Sequence, residues 1–467
     1  MRRNKKDLPI LQDLLIVDAG AEGMAVGRHD MLVVFVPFAV PGDIVDVKLT
    51  KKKKTYAEGK IIKINKLSPL RTQPPCSHFG LCGGCRWQNM RYDIQLAFKQ
   101  KLVNDSLQRL GGFDFPEPKP IIGSKDIFHY RNKVEFTFSN RKWLIHPADH
   151  VEEKEMNGLG FHLPGMFDRI LDVDTCYLFE SPANEMRNRL RDFCQEQDFT
   201  FYNPRTHLGF LRNFIIRLAS TGDLMLIMIF GYDSPDDIDK TMQFLKQTFP
   251  QISSLQYVIN TKKNDTITDL ECIVYSGLPY ITEKMNDLVF RVGPLSFFQT
   301  NSAQALILYQ TALDMARLVG DELVYDLYTG TGTIANFIAH KAAHVIGIEY
   351  VEAAVADAKI NSEINGIHNT SFYAGDMAKI LTTEFILENG RPDVVITDPP
   401  RAGMHASVVS QIEEARPGKI VYISCNPATQ ARDIALLEQT YKVTAVQPVD
   451  MFPHTQHVEN IVLLELK

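Results

Sequence analysis

Short apolar-rich runs separated by polar turns dominate the first 67 residues. They fall at residues 14–17, 31–36, 43–49 and 56–64, punctuated by Gly20, Gly23, Gly27 and the Pro41-Gly42 turn. Four or five short strands joined by glycine turns predict a small closed barrel of the OB type over residues 9–67. The pattern then breaks. Residues 68–90 carry Pro69, Pro74, Pro75 and three cysteines with no period, and little regular structure is expected there. Ile94, Leu96, Ala97, Leu102, Val103, Leu107 and Leu110 follow helical spacing over 91–111, with Gly111-Gly112 as the stop. Residues 133–139, 211–218 and 224–230 read as strands and 236–249 as a helix, so the stretch to residue 290 is an α+β unit. From about residue 291 helices alternate with apolar runs. A helix at 302–319 precedes strands at 323–328, 345–349, 393–398 and 419–424, which predicts a mostly parallel sheet covered on both faces. The expected architecture is therefore multidomain, with units at 9–67, 68–290 and 291–467 and no internal repeat.

A chain of 467 residues accommodates three such units. Its 45% hydrophobic and 23% charged residues are ordinary for a globular protein. No apolar run approaches the roughly 18 residues of a membrane span. The charged start, Met1 to Asp7, lacks a following apolar core and cleavage site, so no secretory leader is expected and a cytoplasmic location follows. The net charge of −6 gives no overall argument for nucleic acid, but residues 1–67 hold thirteen Lys and Arg against eight Asp and Glu. Lys51, Lys52, Lys53 and Lys54 lie in that stretch, as a solvated hairpin tip or as phosphate contacts. The seven cysteines are odd in number and clustered, which points to a metal site or a reactive thiol rather than a disulfide framework.

Candidate chemistry gathers at the carboxyl ends of the C-terminal strands, where open α/β sheets bind ligands. The turn Asp326-Leu327-Tyr328-Thr329-Gly330-Thr331-Gly332 follows a strand and opens a helix, but lacks the third glycine of a dinucleotide fingerprint. Glu349 ends the next strand at the spacing of a ribose-binding acid, Asp376 follows the third and Asp398 ends the fourth. Acids after successive strands suit a ligand with hydroxyls, an exocyclic amine and a cationic centre, and S-adenosylmethionine has all three. Cys425 follows the strand at 419–424, flanked by Ser424, Asn426 and Pro427, with Pro427 read as interrupting helical hydrogen bonding. A buried cysteine is most often an inert small hydrophobe, and a nucleophilic one needs a lowered pKa or a nearby base. Glu459 stands at the start of the last strand, beside His454 and His457.

Three ordered segments, Asp398 to Gly403, Ile420 to Thr429 and Asp450 to Glu459, resemble the signatures of the RNA 5-methyluridine methyltransferases. The resemblance covers nearly the whole chain. It implies a Rossmann-like S-adenosylmethionine-dependent methyltransferase domain that methylates C5 of uridine. Uracil C5 is too weak a nucleophile alone. A thiolate adding at C6 makes an enolate, C5 takes the sulfonium methyl, and a base removes the C5 proton before the thiol leaves. By motif position Cys425 is the nucleophile and Glu459 the base, while Gln299, Tyr328, Gly330, Gly332, Glu349, Asp376 and Asp398 line the S-adenosylmethionine site. The chain departs from the family pattern at Thr329 and Thr333, where Cys and Asn are frequent.

Cys76-x5-Cys82-x2-Cys85, with Cys176 far downstream, suits zinc or an iron–sulfur cluster, and only one Cys-x2-Cys pair is present for a zinc ribbon. The loop resembles that of the ribosomal-RNA branch of the family, which implies a 4Fe–4S cluster on these four residues, a TRAM barrel at the N-terminus, and 23S rRNA as partner. Phe128-His129-Tyr130-Arg131-Asn132-Lys133 interleaves rings with basic groups, either as an RNA-stacking stretch or as a strand with one buried face. Binding is expected to flip the target uridine from its stack. Competing readings are a tRNA uridine methyltransferase, a cytosine C5 methyltransferase, and a non-catalytic metal-containing RNA-binding protein. A monomer is the default expectation.

Overall fold

The computed structural model describes residues 8–145 and 152–467. The charged start on which the leader expectation rested lies outside the described residues. Strands β1 (Ile10–Ala19), β2 (Met24–His29), β3 (Leu32–Pro37), β4 (Ile44–Lys52) and β5 (Tyr56–Lys66) form a closed barrel in the order β1-β2-β3-β5-β4. Alternation produces it: Leu14, Ile16, Val34, Val36, Val45, Val47 and Ala57 fill the interior while their neighbours meet solvent. The lysine run is the β4–β5 hairpin tip, where Lys51 pairs with Glu58 at 2.6 Å.

Helix α1 (Tyr92–Ser106) continues into one π turn and stops at Gly112, whose φ of 71° is left-handed. A seven-stranded central sheet follows. It comprises β6 (Lys133–Ser139), β7 (Gly158–Leu163), β8 (Met166–Asp172), β9 (Leu211–Leu218), β10 (Leu224–Phe230), β11 (Ser254–Ile259) and β12 (Ile273–Gly277), in the order β12-β11-β10-β9-β6-β7-β8. Helices α2 (Ala183–Glu196) and α3 (Pro235–Thr248) cover one face, packing Met186, Leu190, Met242 and Leu245 on Phe136, Phe214 and Met228. On the other face Ile215, Met225, Ile227 and Ile229 share a core with the C-terminal unit.

That unit begins with the hairpin β13 (Ile281–Met285) and β14 (Leu288–Val292) and helix α4 (Ser302–Ala316). Strands β15 (Leu323–Leu327), β16 (His344–Glu349), β17 (Thr370–Ala374), β18 (Val394–Thr397) and β19 (Lys419–Ser424) are parallel, and β20 (Tyr441–Val449) and β21 (Glu459–Leu466) antiparallel, in the order β17-β16-β15-β18-β19-β21-β20. Between them run α5 (Thr333–Ile338), α6 (Glu352–Ile364), α7 (Met377–Ile380), α8 (Thr383–Asn389), α9 (Ala406–Ala415) and α10 (Pro427–Leu437). Val324, Ile396, Val421 and Ile461 face the α4–α5–α6 layer, and Leu327, Val395, Tyr422 and Val462 face α9 and α10.

Three features differ from the sequence expectation. The division at 290/291 cuts β14, because the hairpin packs on the C-terminal unit: Val289 N–H donates to Asn365 Oδ1 and Arg291 N–H to Asn361 Oδ1, both at 2.8 Å. Helix α1, expected within the central unit, sends Val103 and Leu107 into the core beneath α9 and α10. The helix expected to reach 319 ends at Ala316, where Arg317 turns left-handed. Among the described residues no helix is long and apolar enough to cross a membrane.

Candidate active site

The glycine turn is shaped by two backbone requirements. Tyr328 and Thr329 N–H both donate to Ile348 O, at 3.0 and 3.1 Å, bending the chain after β15. Gly332 then opens α5 with φ 74°, and a Cβ there would come within 2.8 Å of Ala358 Cβ and 2.9 Å of Asn336 Nδ2. Gly330 is also left-handed at φ 57°, and a Cβ there would meet nothing within 4 Å, so the turn borders open space. Glu349 spans the turn: Oε2 accepts Gly330 N–H at 3.1 Å and Oε1 accepts Val351 N–H at 3.0 Å. Asp376 caps α7 through Ala378 N–H at 3.1 Å. Of the two departures, Thr329 donates its hydroxyl to buried Asp326 at 2.5 Å, and Thr333 sits 3.3 Å from the Thr331 hydroxyl.

Acids crowd this crevice. Burial pushes Asp326 up to about 7, against its bond from Thr329, with Asp398 and Glu349 adding repulsion. Burial also pushes Asp398 up to about 7. Glu459 is raised to about 8 by burial and then by Asp398, with Arg401 opposing. One Asp326 oxygen is buried without a partner. Four carboxyls within electrostatic reach of one another accommodate a ligand carrying positive charge and hydroxyls. Gln299 hydrogen-bonds the Tyr309 hydroxyl, which also feels Asp398, Asp326 and Glu459. Tyr309 was hidden from sequence reasoning because it sits in the apolar stripe of α4 with Ala305, Leu308 and Ala312.

Cys425 faces Glu459 through sheet register. Ser424 pairs with Asn460 in the antiparallel β19–β21 ladder, so the next residues outward are Cys425 and Glu459. Burial pushes the Cys425 thiol up to about 11, Glu459 and Asp398 push the same way, and a hydrogen bond and charge from Arg401 oppose them. Arg401 falls inside the Asp398–Gly403 segment, and nothing in its spacing places it beside the thiol. It is held there from three sides. Its carbonyl accepts Asn426 Nδ2 at 3.0 Å and Thr429 Oγ1 at 3.2 Å, and its Nη2 lies 2.7 Å from His457 Nδ1. Pro427 does not interrupt a helix here but starts one. Its missing N–H costs nothing at the first position of α10, and Asn426 caps that end through Ala428 N–H at 3.2 Å.

The loop carrying Glu459 is bolted to the cysteine segment. Arg86 and Trp87 N–H, directly after Cys85, donate to His454 O at 2.9 and 3.0 Å. Gln95 Oε1 accepts His454 N–H at 2.9 Å, and the buried Lys99 ammonium meets Asp450 at 2.6 Å. Phe128 stacks on His454 with ring centroids 4.3 Å apart, and the buried Tyr130 hydroxyl donates to Pro453 O at 3.0 Å. Within the Phe128–Lys133 stretch, Phe128 and Tyr130 are thus engaged in internal contacts while His129 is exposed.

Cys76, Cys82, Cys85 and Cys176 line one cavity of about 600 Å³. Burial raises all four thiols, Cys85 and Cys176 to about 12, and neighbouring thiols raise Cys82, Cys85 and Cys176 further. Each sulfur also has a donor aimed at it. His78 and Phe79 N–H serve Cys76, Gly84 N–H serves Cys82 at 3.4 Å, Gln88 Nε2 serves Cys85 at 3.2 Å, and Leu178 N–H serves Cys176. Among the described residues no group of three or more His, Cys, Asp or Glu side chains converges closely enough to hold a metal ion directly.

Comparison with known proteins extends this picture. A family profile described as tRNA (Uracil-5-)-methyltransferase matches residues 211–467, and one described as TRAM domain matches residues 11–62. An uncharacterized RNA methyltransferase of Bacteroides thetaiotaomicron is 54% identical over 96% of this chain and 100% of its own length. One from Chlorobaculum tepidum is 38% identical over 97% of this chain and 96% of its own. The crystal structure of Pyrococcus abyssi tRNA (uracil-54, C5)-methyltransferase in complex with S-adenosyl-L-homocysteine superposes with a TM-score of 0.75 at 28% identity, covering 97% of this chain and 100% of that one.

Proposed function

The chain belongs to the tRNA (uracil-5-)-methyltransferase family and is an S-adenosylmethionine-dependent RNA uracil-C5 methyltransferase with a TRAM barrel, and from that premise we propose that it methylates a uridine of 23S rRNA through a covalent Cys425 adduct. The observation that carries the reading is the facing of Cys425 and Glu459 across the β19–β21 ladder, with Arg401 on the thiol.

S-adenosylmethionine supplies an electrophilic sulfonium methyl. The Glu349 carboxylate, fixed by two backbone N–H groups, suits the ribose hydroxyls. Gly330 and Gly332 let the backbone approach, with Tyr328, Asp376 and Gln299 completing the walls, and a cation there favours the ionised carboxylates of Asp326 and Asp398 that burial disfavours. Arg401 stabilises the thiolate of Cys425, which forms a bond to uracil C6 and moves the electron pair of the C5=C6 bond toward O4. C5 then takes the methyl group as the S–CH3 bond breaks, leaving S-adenosylhomocysteine. Glu459 removes the C5 proton, and the C6–S bond breaks to restore the C5=C6 double bond and the Cys425 thiolate. A base raised to about 8 is well matched to proton transfer near neutral pH.

Cys76, Cys82, Cys85 and Cys176 hold a 4Fe–4S cluster in this reading. Four thiols lining one cavity, each with a hydrogen-bond donor, and a cavity larger than a lone tetrahedral ion needs support it. A cluster held by these residues would fix the Cys85–Trp87 turn, and the Arg86 and Trp87 N–H bonds to His454 O would carry that constraint to the loop bearing Glu459. The cytoplasm is the matching compartment for ribosomal RNA.

A second substrate reading, transfer RNA, is favoured by the likeness to the Pyrococcus enzyme along the whole chain. Tritium transfer from S-adenosylmethionine, tested separately on 23S rRNA and tRNA from a strain lacking the enzyme, with nucleoside mass spectrometry, decides. 5-Methyluridine in 23S rRNA alone is expected. Label in tRNA alone replaces the substrate, and 5-methylcytidine overturns the base.

A further inference from the structure

The face of the central sheet that is buried by the C-terminal unit at β10 opens into a polar concavity at β6 and β7. Along β6, Lys133 and Glu135 line the cysteine cavity, while Thr137 and Ser139 line a second cavity of about 860 Å³. His162 of β7 lines both, so the two adjoin. Thr300 and Thr455, which border the cysteine cavity, continue the track toward Gln299 and the Glu459 loop.

The second cavity is a built one. Arg212, only 2% exposed, sets two of its walls. Its guanidinium lies 4.2 Å from the Tyr202 ring and donates to Asn260, Lys262 and Asn264 carbonyls at 2.7, 2.6 and 2.9 Å. The same guanidinium takes up Asp265 at 2.9 Å, which neutralises the acid lining the cavity. Cations remain at the mouth: Lys263 is exposed, and Arg205 shares the single carboxylate of Asp168 with Arg141. Phe167, also in the lining, is 69% exposed, which leaves its ring available for a planar partner to stack on in the same cavity as Arg205 and Lys263.

Resting on the RNA reading above, we propose that this cavity receives an unstacked, non-target nucleotide of the substrate RNA, its base on Phe167 and its phosphates at Arg205 and Lys263. A volume in the range of small-ligand pockets admits a single nucleotide and excludes a duplex. The walls held by Arg212 are preformed, so little ordering is required on binding. The site selects RNA by an element separate from the thiol.

The test uses the full-length enzyme and an unmodified rRNA or tRNA that wild type methylates. Phe167→Ala should raise KM for that RNA about tenfold while kcat stays within about twofold, with unchanged S-adenosylmethionine affinity. Arg205→Ala/Lys263→Ala should lower the slope of log K against log salt by about 1–2. Both sites are exposed, so folding is not at stake, and thermal melts verify it. 4-Thiouridine crosslinking should label a peptide bearing Phe167 or Tyr202. Unchanged KM and salt slope, or crosslinks confined to the C-terminal unit, overturn the proposal while the methyltransferase reading stands. No methylation of any RNA by wild type fails that reading instead. Unaltered RNA binding with loss of a co-purifying protein would reassign the cavity to a protein partner.

Discussion

The molecule holds two thiol environments, and they solve opposite problems. At Cys425 a single sulfur is flanked by acids that hold it protonated and by one cation, Arg401, that favours the thiolate. At the cysteine cavity Cys82, Cys85 and Cys176 are raised by neighbouring thiols, N–H donors are aimed at the sulfurs, and Arg86 and Arg131 act on Cys82 and Cys176 by charge without a hydrogen bond to sulfur. A nucleophile must be released after each turnover, so a balanced site serves it. Ligands must stay deprotonated together, which a bound polycationic group achieves and a lone arginine does not. Burial alone, similar in both places, does not distinguish them.

The comparison breaks most sharply at Cys425. Cys425→Ala is expected to lower methylation by about 10⁴-fold or more while S-adenosylmethionine binding persists. Equal loss of binding in a calorimetric titration would place the thiol in the cofactor site instead. Arg401→Ala should cost about 10²-fold in kcat, and the deficit should shrink as pH rises, because hydroxide then forms the thiolate that the guanidinium favours. A pH-independent deficit would make Arg401 purely structural. Cys85→Ser should abolish bound iron and visible absorption, lower the melting temperature, and reduce kcat by about tenfold or less, since its effect on Glu459 runs through the His454 carbonyl. A colourless, zinc-containing wild type would remove the cluster from the account.

The smallest effect is on stability. The folded-state pKa of Glu459, about 8, stands above the ordinary 4.5, so folding favours its protonated form. That contribution is complete below about 4.5 and disappears as pH rises through about 8. The melting temperature of the ligand-free protein should therefore fall more between pH 6 and pH 9 than that of Glu459→Gln. Parallel curves would show that Glu459 titrates normally.

The barrel, the parallel sheet and the carboxyl-end position of Glu349, Asp376 and Asp398 were legible because short apolar runs and strand ends are local properties. The β14 boundary and the docking of α1 were not, since both depend on which surfaces meet across the chain. Likewise Cys425, Glu459 and the glycine turn carry motif spacing, whereas Arg401 and Tyr309 join them only by folding. The aromatic–basic stretch at residues 128–133 shows the same limit from the other side: composition does not reveal that Phe128 stacks on His454 and that the Tyr130 hydroxyl is bound to Pro453 O.

Glu459→Gln bears on the central claim most directly. Mixed with S-adenosylmethionine and substrate RNA and run on a denaturing gel, it should accumulate a slowly migrating protein–RNA band. The C5 proton has no base to take it, so the C6–S bond persists. The band should vanish in Cys425→Ala/Glu459→Gln. Wild-type turnover by Glu459→Gln with no such band, or a band that survives the loss of Cys425, would contradict the covalent account.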